Sequence, residues 1–363
     1  MNENASNPFT QQDLLRSGAA FVQFADMEAV AVTGPDRLAW LHNLTTAPFA
    51  QLRPEASIEA LILDYAGHVK FAVAALDDGE RTWLFTDSGK AEPLAQFLES
   101  MRFMMRVEVA QAAVAAFGMM RSAAQVHELG EGVRAAAKFV WEDPWPGVVA
   151  GGTTYGVDEL EHPGRGALRS VIVTDINQAQ TISQALNTAG LTQVDEQAWD
   201  ALRIADWRPR PNREIADDKV LPHELDWLRT AVSLNKGCFP GQETVAKVIN
   251  MGRPPRRLVF LYLEGEAGPA GDLPEPGAAV MLVDGEAQVG VVTSVARHFE
   301  LGPIALALVK RTVLIEAVLR IDGLLATQTA IVTPEGRAAA SPAEIPGAAL
   351  KQARRNELWG QTP

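Results

Sequence analysis

"LNKGCFPGQETVAK", Leu234 to Lys247, holds the single cysteine of a chain of 363 residues. Cys238 stands between Lys236-Gly237 and Pro240-Gly241, with Gln242 and Glu243 directly behind. Two glycines this close to a thiol permit positive φ or close approach of a ligand. Proline suits a first helical turn and cannot extend a ladder, so "GQETVAKVI" reads as a short helix or turn. A thiol at a helix start is favoured as thiolate by unpaired N–H groups and the local dipole. Lys236 adds to this if it faces the same side. The other reading stays open: free cysteine is among the most buried residue types, and Cys238 can be an inert packing group with the glycines serving only the turn.

Working outward, the totals bound the answer. The chain is 47% hydrophobic and 21% charged, as expected of a folded protein long enough to bury a sizeable core. One cysteine makes no internal disulfide, and no Cys/His spacing reads as a zinc site. No run of about 18 apolar residues reads as a membrane span, and "MNENASNPFTQQDLL" lacks the basic and apolar regions of a signal peptide. The expectation is a cytoplasmic protein without a membrane partner. A formal net charge of −13 repels phosphate at long range, so no direct nucleic-acid binding is expected. The best local basic patch is "NMGRPPRRLV", with Arg253, Arg256 and Arg257, read here as a solvated loop.

Before the cysteine, the pattern is mixed. "AVAVTG" reads as a strand, "GPDRLAWLHNLTT" as a helix, and "SIEALILDYAGHVKFAVAALDD" as two strands joined at Ala66-Gly67. "TWLFTDSGKAEPLAQFLESMRF" is strand, turn and helix, with Asp87 or Ser88 as candidate cap. "GALRSVIVTD" is a strand, "INQAQTISQALNTAG" a helix closed by Gly190, and "DEQAWDALRIADW" a helix. Hairpins among helices imply an α+β class rather than a doubly wound parallel sheet. After "GRPPRR", short β-rich runs with an Asp284-Gly285 hairpin signal imply a small antiparallel barrel. "RPRPNREIADDK" carries Arg213, Glu214, Asp217 and Asp218 and reads as a solvated loop, as charge runs usually are. His68, His223 and His298 are scattered and none is assigned to metal.

"KGCFPGQE", Lys236 to Glu243, matches the K-G-C-[FY]-x-G-Q-E signature of the YgfZ family. "VLPHELDWL" resembles the P-x-E-L segment upstream of it, and "VAVTGPDRLAWLHNLTT" the family's opening strand and helix. The likeness runs over roughly residues 19 to 330, and the wording from Arg203 to Val232 is similar to an actinobacterial branch. The family in turn resembles the T-protein (GcvT) of the glycine cleavage system, an aminomethyltransferase using tetrahydrofolate. The resemblance implies a GcvT/YgfZ-like α+β ring of subdomains around a central folate-sized cavity, with a C-terminal antiparallel β-barrel. The expected divisions are a flexible arm at 1–18, a folate-binding region at 19–252 in two subdomains (19–115 and 116–252), a barrel at 253–332, and a mobile tail at 333–363.

The same resemblance implies tetrahydrofolate or a derivative as bound ligand, and iron–sulfur client or assembly proteins as partners. Members are often labelled tRNA-modifying because some clients are cluster enzymes that act on tRNA. Cys238 and Lys236 are then the candidate chemical residues, in a signature loop with Gly237, Phe239, Gly241, Gln242 and Glu243. One thiolate cannot hold a cluster alone, so Cys238 serves as nucleophile, redox thiol or a ligand shared with a partner. Trp199 falls where a folate-stacking aromatic is expected, and Arg203, one turn on, where a guanidinium binds the glutamyl carboxylate. Each also reads as ordinary structure, a core tryptophan and a surface ion pair. A second stacking ring is expected near Met27, which is not aromatic. In the T-protein a carboxylate follows the first glycine turn; here Lys70 and Phe71 stand in that stretch, and neither does general-base work. The leading reading is a folate-binding accessory protein for iron–sulfur assembly or repair. The alternatives are a one-carbon transferase and a non-catalytic folate-binding scaffold.

Overall fold

Val30 and Val32 face one side of the strand Met27–Thr33, and Ala29 and Ala31 the other, as period-two geometry requires. The structure, a computed structural model, describes residues 7–265, 272–285 and 287–343. The valines pack with Leu41 and Leu94 of the helices Arg37–Leu44 and Ala91–Ser100. The alanines face a second sheet. The first sheet is antiparallel throughout, in the order Ser57–Leu63, Val69–Asp77, Arg81–Asp87, Met27–Thr33, Glu108–Ala112.

The second sheet runs Thr192–Val194, Ala20–Phe24, Val114–Met119, Ser170–Asp175, Phe139–Glu142. Only the pairing of Ala20–Phe24 with Thr192–Val194 is parallel. Its outer face, with Phe21, Phe117 and Ile172, is covered by Ile182 and Leu186 of the helix Ala179–Thr188. Its inner face, with Val22, Ala116 and Val173, joins Ala29, Ala31 and Phe85 of the first sheet in one core. Two sheets thus lie face to face with helices outside, and small alanines line much of the space between them.

The barrel closes in the order Arg256–Glu264, Gly302–Lys310, Gln288–His298, Ala279–Leu282, Leu319–Ile321, Leu324–Ala330, antiparallel at every step. Val259, Leu261, Ala305 and Ala307 fill it. Their neighbours Leu258, Phe260, Ile304 and Leu306 point outward, into a core shared with Trp145, Trp207 and Trp227 of the body.

The structure departs from the sequence reading at three divisions. The expected loose arm is a helix over Pro8–Arg16, with Leu15 buried and Gln12 bonded to Arg297 O and Phe299 N across the barrel. The strand Ala20–Phe24 joins the second sheet rather than the first, so a cut at 115 separates it from its partners. The start of the expected tail packs down. Thr333 N donates to Tyr155 O, Ala339 N donates to Thr154 O, and Ala338 is buried among the tryptophans. The rest of that tail, 344–363, lies outside the described residues, as do residues 1–6 of the arm. Among the described residues no helix is long and apolar enough to cross a membrane.

Candidate functional site

The signature loop is pinned from below and exposed above. Gly241 adopts φ +79°, and a Cβ there would stand 2.5 Å from Asp64 O and 2.9 Å from Gly67 Cα. Gly67, at φ +87°, closes the turn between the strands Ser57–Leu63 and Val69–Asp77, and a Cβ there would meet Thr244 Cβ at 2.8 Å. Both positions require glycine on two counts, backbone conformation and space. Gly237 does not adopt positive φ, so only the second glycine of the signature serves that purpose.

Cys238 is exposed, so the packing role is set aside. It does not cap a helix, however: the helix Gln242–Met251 takes Gly241 as its N-cap, and the thiol lies upstream of it. Lys236 is buried, and its Nζ donates to the carbonyls of His42 and Thr45, at the C-terminal end of the helix Arg37–Leu44. A cation is favourable at that pole. Burial pushes its pKa down to about 8, while the nearby Cys238 opposes the drop. Lys236 also lies 5.0 Å from the ring centre of buried Phe239. Gln242 is half-buried and Glu243 exposed in the first helical turn, where an acid suits the dipole. Lys236 is therefore foremost an anchor for the loop. His42, which the sequence reading passed over, places Nε2 4.0 Å from a Cβ built on Gly237. Burial and Lys236 hold its pKa below the usual histidine value.

None of the residues 234–243 lines the central cavity. That cavity lies between the two sheets, with about 790 Å³ of empty volume including its open mouth. Its walls carry four rings, Phe24, Phe85, Trp141 and Trp199, and the small side chains Ala72 and Ala74. Trp199 stands edge-on to Phe24 with centroids 5.2 Å apart. Met27 also lines this cavity, beside three rings, Phe24, Phe85 and Trp141, that the sequence reading did not find. Lys70 and Phe71 are not in the cavity: Lys70 Nζ lies 5.1 Å and the Phe71 ring 5.8 Å from the Phe97 ring, on the helix side of the sheet. The cavity-facing positions of that strand are alanines.

Arg203 lines the cavity, but all three of its guanidinium nitrogens are engaged. Nε donates to Asp200 at 2.6 Å, Nη2 to Ser294 at 2.8 Å, and Nη1 approaches Glu214 at 3.4 Å. This corrects the expected carboxylate clamp: Arg203 ties its helix to the barrel. Two other arginines have free donors. Arg169 is 1% exposed; its Nη2 bonds Asp206 and Leu202 O, leaving Nε and Nη1 without partners. Arg208 pairs with Glu59 at 2.8 Å and Asp143 at 3.0 Å, leaving Nη1 without one. Buried donors of this kind are costly unless a water or ligand meets them. The four carboxylates of the wall are all engaged. Asp26 and Asp87 bond Arg210, at 3.0 and 3.1 Å, and Glu59 and Asp143 bond Arg208.

The charge run is also corrected. Glu214 is fully buried and accepts from Arg210 N, Thr293 and Ser294. Asp217 and fully buried Glu224 both hold Arg256, with Glu224 at 2.9 Å, and Arg257 is buried inside the barrel. The "GRPPRR" basic patch is thus largely a set of struts, with Arg253 alone left exposed among its arginines. His68 pairs with Asp64 at 2.9 Å, and His223 is fully buried. Among the described residues no group of three or more metal-ligating side chains comes together.

With the geometry laid out, the comparisons place the fold. The glycine cleavage system aminomethyltransferase T from Bartonella henselae superposes with a TM-score of 0.63 at 18% identity, over 91% of this chain and 90% of that one. The chain has the fold of that aminomethyltransferase. A chloroplastic protein of Arabidopsis thaliana named as a transferase is 35% identical over 131 residues, 34% of this chain. Those residues make up 28% of the relative's own length. No family model matches the sequence.

Proposed function

We propose that this protein binds a reduced folate in the central cavity and uses Cys238, outside it, as the working thiol of an accessory factor for iron–sulfur cluster assembly or repair. The observation that carries the folate reading is the pairing of an aromatic-walled cavity with the partnerless donors of Arg169 and Arg208. Planar rings stack on rings, and guanidinium nitrogens bind carboxylate or carbonyl oxygens. The iron–sulfur reading rests on the "KGCFPGQE" resemblance together with the exposure of Cys238. A cluster would be cargo shared with a partner, since one thiolate supplies one ligand of the four a cluster takes.

A second reading, one-carbon transfer, is favoured by the fold and by the transferase name of the plant relative. The geometry of the four cavity carboxylates speaks against it, because Asp26 and Asp87 are turned to Arg210 and Glu59 and Asp143 to Arg208 rather than toward a substrate. Calorimetric titration with tetrahydrofolate tests the proposal. Wild type binds, and Ala74→Trp, which fills the cavity, does not. Equal affinity of the two proteins would place the ligand elsewhere and overturn the folate reading. Turnover of a folate one-carbon adduct would favour the transferase.

A further inference from the structure

A groove outside the central cavity carries its own buried donor. It is bounded by the N-terminal helix, the loop 163–168, the end of the helix Glu196–Ala205 and the barrel turn 298–301. Its empty volume is about 1,160 Å³ including the open side. The groove and the cavity share no lining residue; the Arg169–Asp206 pair spans the wall, with Arg169 on the cavity and Asp206 on the groove.

The turn fixes the histidine and its tautomer. Gln12 holds Arg297 O at 2.8 Å and Phe299 N at 3.0 Å. Inside the turn, His298 Nδ1 accepts from Glu300 N at 3.2 Å and Leu301 N at 3.1 Å. A ring nitrogen that accepts two N–H groups carries no proton, so in the neutral ring the proton is on Nε2. That Nε2 is buried and has no partner, in a residue 2% exposed that lines the groove. A donor held this way needs an acceptor.

The rest of the lining says which acceptor. Arg16 is matched by Glu300 at 2.9 Å, and Asp206 by Arg169. Arg165 has no ion pair or hydrogen bond from its side chain among the described residues, so one unmatched positive charge stands at the mouth. The apolar part of the wall is aliphatic, with Met120, Leu168, Leu202 and Leu301, and holds no Phe, Tyr or Trp ring. The central cavity, by contrast, has four. A flat aromatic finds nothing to stack on here, whereas a flexible alkyl chain finds side chains that conform to it.

We propose that this groove binds a small aliphatic monocarboxylate, its carboxylate accepting from His298 Nε2 and facing Arg165, and its chain lying along Leu168, Leu202 and Leu301. The probe is octanoate, titrated by calorimetry into the full chain. Wild type binds, and 1-octanol, which lacks the charge, binds at least about tenfold more weakly. His298→Asn keeps an acceptor for the turn and removes the Nε2 donor; Arg165→Ala changes an exposed loop residue. Each weakens octanoate about tenfold, the effect of one hydrogen bond or ion contact to a charged group. Ala74→Trp, in the other cavity, leaves octanoate affinity unchanged. The proposal is overturned if wild type does not bind, if neither variant weakens binding, or if only Ala74→Trp abolishes it. Should His298→Asn fail to fold, Arg165→Ala decides alone.

Discussion

Gly241 and Gly67 meet backbone to backbone: a Cβ on Gly241 would lie 2.9 Å from the Gly67 Cα, closer than real side chains come. The signature loop and the turn of the 57–77 hairpin are therefore one unit, although 173 residues of chain separate them.

Gly241→Ala loses on both counts, a left-handed backbone at φ +79° and a Cβ 2.5 Å from Asp64 O. The expected cost is about 3 kcal/mol or more, read by urea denaturation. Gly79→Ala isolates the first count, since Gly79 has φ +95° but nothing within 4 Å of its Cβ position. It should cost about 1 kcal/mol. Equal costs for the two would mean that the loop yields freely and that the contact carries no weight.

Glu224 and Arg256 join the body to the barrel through three hydrogen bonds, Arg256 N and Nε to Oε1, each at 3.0 Å, and Nη2 to Oε2 at 2.9 Å, and Glu224 is fully buried. Glu224→Gln removes the charge and leaves the guanidinium with Asp217 alone. Breaking one side of such a pair costs about 3 kcal/mol, more than replacing both sides. A cycle with Arg256→Met should show strong coupling, the double variant recovering part of the loss. Additive losses would make the two residues independent.

What the sequence revealed was local, and what it hid was long-range. Asp284-Gly285 announces its hairpin, and alternating barrel strands announce their faces, because each signal lies within a few residues of its consequence. The charge run was read as solvated because its partners are far away. Arg208 bonds Glu59 and Asp143, Arg210 bonds Asp26 and Asp87, and Glu214 bonds Thr293. Buried and exposed charges are spelt alike. The start of the helix Ala91–Ser100 is another case: Glu28, from a neighbouring strand, accepts from Ala91 N at 2.9 Å, while the expected cap Asp87 holds Arg210. In the site, Trp199 was singled out by the family resemblance, while its helical spacing alone read as an ordinary core tryptophan; it lines the cavity. Arg169, Arg208 and Trp141 converge on the cavity from three segments and gave no sequence signal.

The pH dependence of stability should show two opposing buried groups that both touch Tyr155. Asp226 accepts from Tyr155 N at 2.7 Å, and the His223 ring stands edge-on to the Tyr155 ring at 5.4 Å. Burial pushes Asp226 up to about 6 from 3.8, with Arg229 opposing. The native state then holds an extra proton between those values, so this group makes stability fall as pH rises through that window. Burial pushes His223 down to about 4 and His162 down to about 3, both from 6.5. There the unfolded chain holds the extra proton, and stability rises with pH up to 6.5. His42 and His298 are likewise held below the usual histidine value, and Asp206 is likewise raised, so four histidines outweigh two acids and wild type gains stability from pH 4 to 6.5. Asp226→Asn removes one opposing group and steepens that rise by about 3 kcal/mol across the window, measured by urea melts at several pH values. An unchanged slope would mean that Asp226 titrates in the folded state as it does in the unfolded one.

Cys238 and Lys236 should separate chemistry from structure. Cys238 is exposed and unbridged, so Cys238→Ala should stay within about 0.5 kcal/mol of wild-type stability. Lys236 is buried with its ammonium on two helix-end carbonyls, so Lys236→Met should cost about 2 kcal/mol and loosen the loop. Under the proposed function, Cys238→Ala abolishes support of a cluster-dependent client enzyme in a strain lacking its own equivalent protein, because alanine offers no lone pair. Tetrahydrofolate affinity should be untouched, since the thiol lies outside the cavity. Iodoacetamide should label native Cys238 without unfolding, and labelled protein should behave as the alanine variant does. Lys236→Met should lose part of that support in step with its lost stability, and Lys236→Arg, which keeps a cation for the two carbonyls, should restore some of it. Full client activity from Cys238→Ala would remove the thiol from the mechanism and leave the folate cavity as the one working site of the proposal.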